Sequence, residues 1–192
     1  MRIQGSDCES EAEQSTFIRW WCQTSWHGCL SRKRPLIFFT DYYEIRNAEY
    51  IRINKLLLIK RFMLAPLKIR VSQSNIWVRR RILSFGSAIC CPSVAYVPDN
   101  LGSPLFISDF RTAEDWEAWE RFSRLKGEFV YIHKPLMAHR IHSDSETSAM
   151  IKDGVRSKED YEIFCRFWPK PIALVLAGIY RMSEEYNRIF PV

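Results

Sequence analysis

The pattern of apolar and polar positions divides the chain into two unlike parts. From Pro35 onward it is regular. LIFFTDYYEI, residues 36–45, gathers aromatic and β-branched side chains over strand length, and Asn47-Ala48-Glu49 offers a turn before the short run YIRI, so a β-hairpin is predicted. The stretch from Lys55 to Leu67 is apolar and basic with a stop at Pro66. SQSNIWVRRRIL, residues 72–83, predicts a helix begun by a Ser72 cap, with Arg79 to Arg81 as a solvated basic face. GSAICCPSVAYVP then supplies a small-apolar run suited to a buried strand over 88–97, closed by the turn Pro98-Asp99-Asn100.

The strongest helical signal spans 113–126. Thr112 is a suitable N-cap, Trp116, Trp119, Phe122 and Leu125 share a stripe, and Gly127 is a stop. FVYIH, residues 129–133, predicts the next strand, broken at Pro135 within an extended segment that reaches 139. Two helices follow, one capped by Ser157 and stopped by Trp168-Pro169, the other over 172–188. Strands interleaved with helices in this way predict an α/β fold.

Residues 1–34 hold no sustained period; they contain three Cys, three Trp and the run Ser31-Arg32-Lys33-Arg34. They are predicted to be a leader that packs little against the domain of residues 35–192, with proteolysis falling first near Arg32 to Arg34. At 192 residues, 47% hydrophobic and 26% charged, the chain has room for one cored domain, which excludes wholesale disorder. Its 28 Lys and Arg exceed 22 Asp and Glu by six, a balance that suits an anionic partner: nucleic acid, a membrane surface or a nucleotide diphosphate. The longest late apolar run, Ile172 to Tyr180, is flanked by Lys170 and Arg181 and is too short to span a bilayer. The polar, acidic start lacks the pattern of a secretory signal, and six Cys without a paired framework suit a reducing compartment, so a cytoplasmic address is expected.

Two groups of residues could carry chemistry. Glu114 and Asp115 occupy a first helical turn, where the macrodipole favours carboxylates; the same position serves plain helix capping. In His139-Arg140-Ile141-His142, strand alternation puts Arg140 and His142 on one side, where a guanidinium and an imidazole could meet a diphosphate or His142 could ligate a divalent metal; the alternative is an exposed polar strand end. Ser145, Glu146 and Thr147 would otherwise cap a following helix. Trp116 and Trp119 fit a core stripe, although an indole face could also stack on a sugar ring.

Taken in order, PSVAYV, the Gly-containing loop to F-x-x-D-F, TAEDWEAWERFSRLKGEFVYI and KPLMAHRIHSDSET resemble the acceptor-side, C-terminal part of family 2 glycosyltransferases of the GT-A fold. The resemblance runs from Gly86 to about Asn187 and more loosely from Thr40. Its most specific parts are the acidic pair followed by W-x-x-W and the Arg-x-His followed by Ser. It implies a partial GT-A fold, a mixed sheet flanked by helices with C-terminal helices. It implies Asp115 as the general base beside Glu114, and Arg140 and His142 near the diphosphate and a divalent metal, Mg or Mn. Trp116 and Ser145 join them as substrate-binding residues. A nucleotide-sugar donor, a sugar or lipid-linked acceptor and a role in cell-surface polysaccharide or glycoconjugate synthesis follow, with association at the cytoplasmic membrane surface. The family's nucleotide-binding βαβ unit and Asp-x-Asp segment are not found; Thr40-Asp41-Tyr42 matches a later strand, so no transfer is expected from these residues alone. The rival readings are a nucleic-acid-binding module, prompted by Arg32 to Arg34 and Arg79 to Arg81, and a zinc module from Cys8, Cys22, His27 and Cys29.

Overall fold

The computed structural model describes residue 32, residues 34–46, 49–107, 109–140 and 155–189, with side chains as far as residue 182. Its centre is β1 (Pro35–Arg46). Leu36 to Thr40 are at most 2% exposed, as expected of a strand covered on both faces. β1 pairs in parallel with β4 (Glu128–Arg140) along one edge. Its other edge is shared by two short antiparallel strands, β3 (Val94–Tyr96) against Ile37 to Phe39 and β2 (Glu49–Ile51) against Glu44 to Arg46. The result is a mixed open sheet flanked by helices, and the expected α/β class and hairpin are both present.

Several local expectations are corrected. β4 does not end at Pro135: it continues to Arg140, and Pro135 sits opposite Asp41 where the register shifts, a place where a residue without N–H fits. The strand expected over 88–97 is only Val94–Tyr96, because Cys91–Ser93 turns as a 3-10 helix with Pro92 in it. The helix expected from Ser72 is two: α2 (Arg70–Ser74) and α3 (Ile76–Leu83), with Asn75, not Ser72, capping α3 by accepting from the Val78 N–H. They follow α1 (Lys55–Leu64) and a 3-10 turn at Ala65–Lys68. A short α4 (Pro98–Leu101) precedes α5 (Glu114–Ser123); α6 (Val155–Cys165) and α7 (Lys170–Ile189) close the described chain. Ser157 lies inside α6 and is not its cap.

Arg79 to Arg81 are not a uniformly solvated face: Arg79 is buried, Arg80 half-buried and Arg81 exposed. Arg79 is 1% exposed, donates to the Gly127 and Leu125 carbonyls at 2.8 and 2.7 Å, and stands over the Phe129 ring. Burial brings its pKa down to about 10, still well above neutrality. Arg80 pairs with Glu120, and Arg81 lies against the Trp77 and Trp168 rings. Glu120 and Glu117, both buried on α5, are held by Arg124 and Arg121 one turn on and by Arg166 beyond α6. Partners from three segments make these buried charges tolerable and lock α3, α5 and the end of α6 together.

Two residues assigned to the leader belong to the fold. Arg32 reaches Gln73 at 2.9 Å and Glu128 at 3.1 Å, and the Arg34 carbonyl accepts from the Glu128 N–H. Gly127 permits this approach: at φ 146 a Cβ there would lie 2.7 Å from both the Arg34 oxygen and Leu36 Cγ. Residues 1–31 lie outside the described residues, and with them the candidate zinc ligands.

Arg79→Met should cost about 2–4 kcal/mol in chemical denaturation, since two charge-assisted bonds from a buried guanidinium to half-buried carbonyls disappear together. A loss below about 0.5 kcal/mol would show that water replaces the guanidinium without penalty.

Candidate functional site

The acidic pair is positioned by a residue 45 positions downstream of Glu114. Thr112 does not cap α5; Ala113 occupies that place and offers no side-chain acceptor. α6 holds the loop before the helix instead. One Glu159 carboxylate receives the N–H groups of Arg111, Thr112 and Ala113 at 2.9, 2.9 and 3.0 Å, and the Thr112 hydroxyl at 2.6 Å. Burial pushes the Glu159 pKa up, but the Thr112 hydroxyl and the three amides outweigh it, and the net shift is downward.

Asp115 follows in the first turn of α5. It is half-buried, and its Oδ1 accepts from the Trp116 N–H at 2.6 Å. Burial raises its pKa to about 6; the Trp116 amide and the positive charges of Arg156 and Lys60 resist that rise, and Glu114 adds to it. Glu114 itself is exposed. Lys60 comes from α1, its Nζ 3.1 Å from the Tyr42 hydroxyl. Burial opposes its charge, but the Tyr42 and Cys90 neighbours hold its pKa above the ordinary value. Tyr42 continues the chain of contacts: it packs with Leu57, Cys90 and Met137, and its ring meets His139 edge-on at 6.2 Å.

That last contact decides where the strand end points. Met137 and His139 pair in register with Tyr42 and Glu44, whereas Ala138 and Arg140 pair with Tyr43 and Ile45 and project from the other face. The structure therefore brings His139, not Arg140, onto the face shared with Lys60, and exposed Arg140 is not gathered with Asp115. His142 and Ser145 lie outside the described residues. Trp116 is a correction: at 1% exposure its indole N–H bonds the Leu83 carbonyl at 3.0 Å and its ring is enclosed by Phe164 and Tyr180, so no face is left for a sugar. Among the described residues no group of three or more His, Cys, Asp or Glu could hold a metal ion.

The gathered residues are thus Asp115 and Glu114 from α5, Lys60 from α1 and Arg156 from α6, with Tyr42 behind Lys60. Lys60, Tyr42 and Arg156 carry no local signature, and only their placement in the fold reveals them. No protein-family profile, curated protein or solved structure matches the chain.

Asp115→Asn supplies a test of the site's electrostatics. The folded pKa of about 6 lies above the ordinary 3.8, so the folded state holds the proton more tightly. That advantage is complete below 3.8 and is lost as pH rises through 6, leaving an ionised carboxylate that costs up to about 3 kcal/mol, less where water screens it. The amide keeps an acceptor for the Trp116 N–H and carries no charge. Thermal or urea unfolding should find the variant about 1–3 kcal/mol more stable than the parent at pH 7.5 and equal to it near pH 3.5. Lower stability of the variant at pH 7.5 would contradict the raised pKa.

Proposed function

We propose that the domain is the acceptor-side part of a family 2 glycosyltransferase of the GT-A fold, in which Asp115 removes the proton from an acceptor hydroxyl as a sugar leaves its nucleoside diphosphate. The observation that carries the reading is Asp115: a half-buried carboxylate at a helix start, raised to about 6 and flanked by two cations. A base near that value is mostly ionised at neutral pH, yet holds a proton far better than an ordinary aspartate. The acceptor oxygen attacks from the face opposite the leaving group, so a base on the acceptor side is what the chemistry requires. Glu114 adds negative charge beside it. Arg140 and His142 keep the leaving-side role the resemblance implies, although Arg140 projects from the face of the sheet opposite His139. A divalent cation finds no ligand cluster among the described residues, and the roles assigned here belong to side chains alone.

The nucleic-acid reading is weakened at one of its two clusters, because Arg79 and Arg80 are engaged inside the fold and only Arg81, stacked on indoles, is exposed.

The test is transfer from a panel of radiolabelled nucleotide sugars to sugar and lipid-linked acceptors. The chain alone should give no measurable product; supplied with the nucleotide-binding half of a family 2 enzyme it should give product. There Asp115→Asn should reduce kcat by about 10²–10⁴-fold while leaving nucleotide-sugar binding within about twofold. Unchanged turnover in that variant would remove Asp115 from the mechanism.

A further inference from the structure

Between Tyr50 and Pro98 the chain carries nine Lys and Arg and no Asp or Glu. The start of this stretch also presents Tyr50, Ile53, Leu58, Ile59 and Phe62, all more than half exposed, with Phe62 at 81%. On α1, Lys55, Leu58, Ile59 and Phe62 recur at i, i+3, i+4 and i+7, which is one face of the helix. The other side is already committed. Leu57 and Leu64 are buried, Lys60 reaches Tyr42, and Arg61 pairs with Asp41 at 2.7 Å and donates to the Tyr42 carbonyl. The helix is therefore fully anchored without its outer apolar face, and large side chains left in water there call for a partner.

The surroundings of that face say what the partner is. Arg52 and Lys55 beside it, and Lys68 and Arg70 after it, are exposed cations, and no carboxylate interrupts them in sequence. Apolar side chains flanked by cations complement a surface that offers hydrocarbon depth together with a sheet of negative charge. At ten residues α1 is about 15 Å long, half the hydrocarbon thickness of a bilayer, and no helix among the described residues is long and apolar enough to cross one. The geometry points to the outer face of α1 as a docking surface for an anionic lipid bilayer: Leu58, Ile59 and Phe62 enter the headgroup boundary, and Arg52 and Lys55 meet lipid phosphates. The helix lies in the interface and does not span it. This surface does not depend on the transfer chemistry proposed above, and its test uses no nucleotide sugar.

The full chain is sedimented with vesicles of pure phosphatidylcholine and with vesicles containing phosphatidylglycerol, at low and high salt. Binding is expected to the anionic vesicles and to weaken with salt. Leu58→Ser with Phe62→Ser, and separately Arg52→Glu with Lys55→Glu, should each weaken it at least ~10-fold, because each pair removes more than about 1.4 kcal/mol of burial or surface attraction. All four side chains are exposed, so melting temperatures should stay near the parent's; the charge pair tests the idea should the serine pair fail to fold. Equal binding to neutral and anionic vesicles, or indifference to both pairs, would overturn the assignment. So would a concentration-dependent dimer that the serine pair abolishes while vesicle binding is absent, which gives the face to a second copy. Salt-sensitive binding to duplex DNA without vesicle binding would equally overturn it.

Discussion

β1 is bonded along both edges and covered on both faces, and that constraint sets the form of everything around it. One edge is taken by β4 for the strand's whole length, and β3 and β2 divide the other. A strand in this position has no side on which to place polar residues, which is why Leu36 to Phe39 are uniformly apolar and Thr40 turns its hydroxyl to the Asp41 carbonyl. Only past the register shift at Asp41 does the strand carry Tyr42 and Glu44 into the helix-covered face. There each must be given a partner: Lys60 for Tyr42, and Arg46 with Asn54 for Glu44. Asn54 in turn caps α1 by accepting from the Leu57 N–H at 2.7 Å. The hairpin, the start of α1 and the position of Lys60 are thus one connected arrangement.

The same accounting governs α5. Its buried face combines Trp116, Trp119 and Phe122 with two carboxylates, Glu117 and Glu120, that no isolated amphipathic helix would bury. Arginines from α3, from α5 itself and from the turn after α6 make it possible. Because Arg80 and Arg166 are far apart in sequence, removing either leaves a buried carboxylate short of a partner, a costlier state than never having buried it. α5 is therefore fixed in rotation about its axis by charge as well as by aromatic packing, and Asp115 inherits that orientation.

What the sequence made legible was the set of elements whose cause is local. β1, its hairpin, the aromatic stripe of α5 and the start of β4 each follow from residue pattern over five to fifteen positions. What it hid was set by distant residues. Thr112 looked like a cap because Ser, Thr and Asp near a helix start usually are, yet its hydroxyl donates to Glu159. Pro135 looked like a strand end because the ladder normally needs its N–H, yet a register shift opposite Asp41 accommodates it. Arg79 to Arg81 looked solvated because cations usually are, yet two carbonyls on the loop before β4 claim Arg79. Of the candidate site, Asp115 and Glu114 were legible from their place at a helix start; Lys60 and Arg156 were not, and Trp116, which sits in the core as its stripe indicates, had entered the substrate-binding set only through its capacity to stack.

Glu159 also explains why two carboxylates that meet at the same helix start, one from α5 and one from α6, behave oppositely. The amides of residues 111–113 are the natural donors for an anion there, and Glu159 takes all three together with the Thr112 hydroxyl. Its pKa falls accordingly. Asp115 is left with one hydrogen bond, from the adjoining amide, against its partial burial, and rises to about 6 despite two nearby cations. Two acids whose environments drive their proton affinities apart are the pattern from which acid–base roles are built, one fixed as a structural anion and the other poised to exchange a proton near neutrality. The arrangement gives up local stability at Asp115 and recovers it at Glu159, leaving the carboxylate with the raised pKa partly open to solvent and the one with the lowered pKa buried.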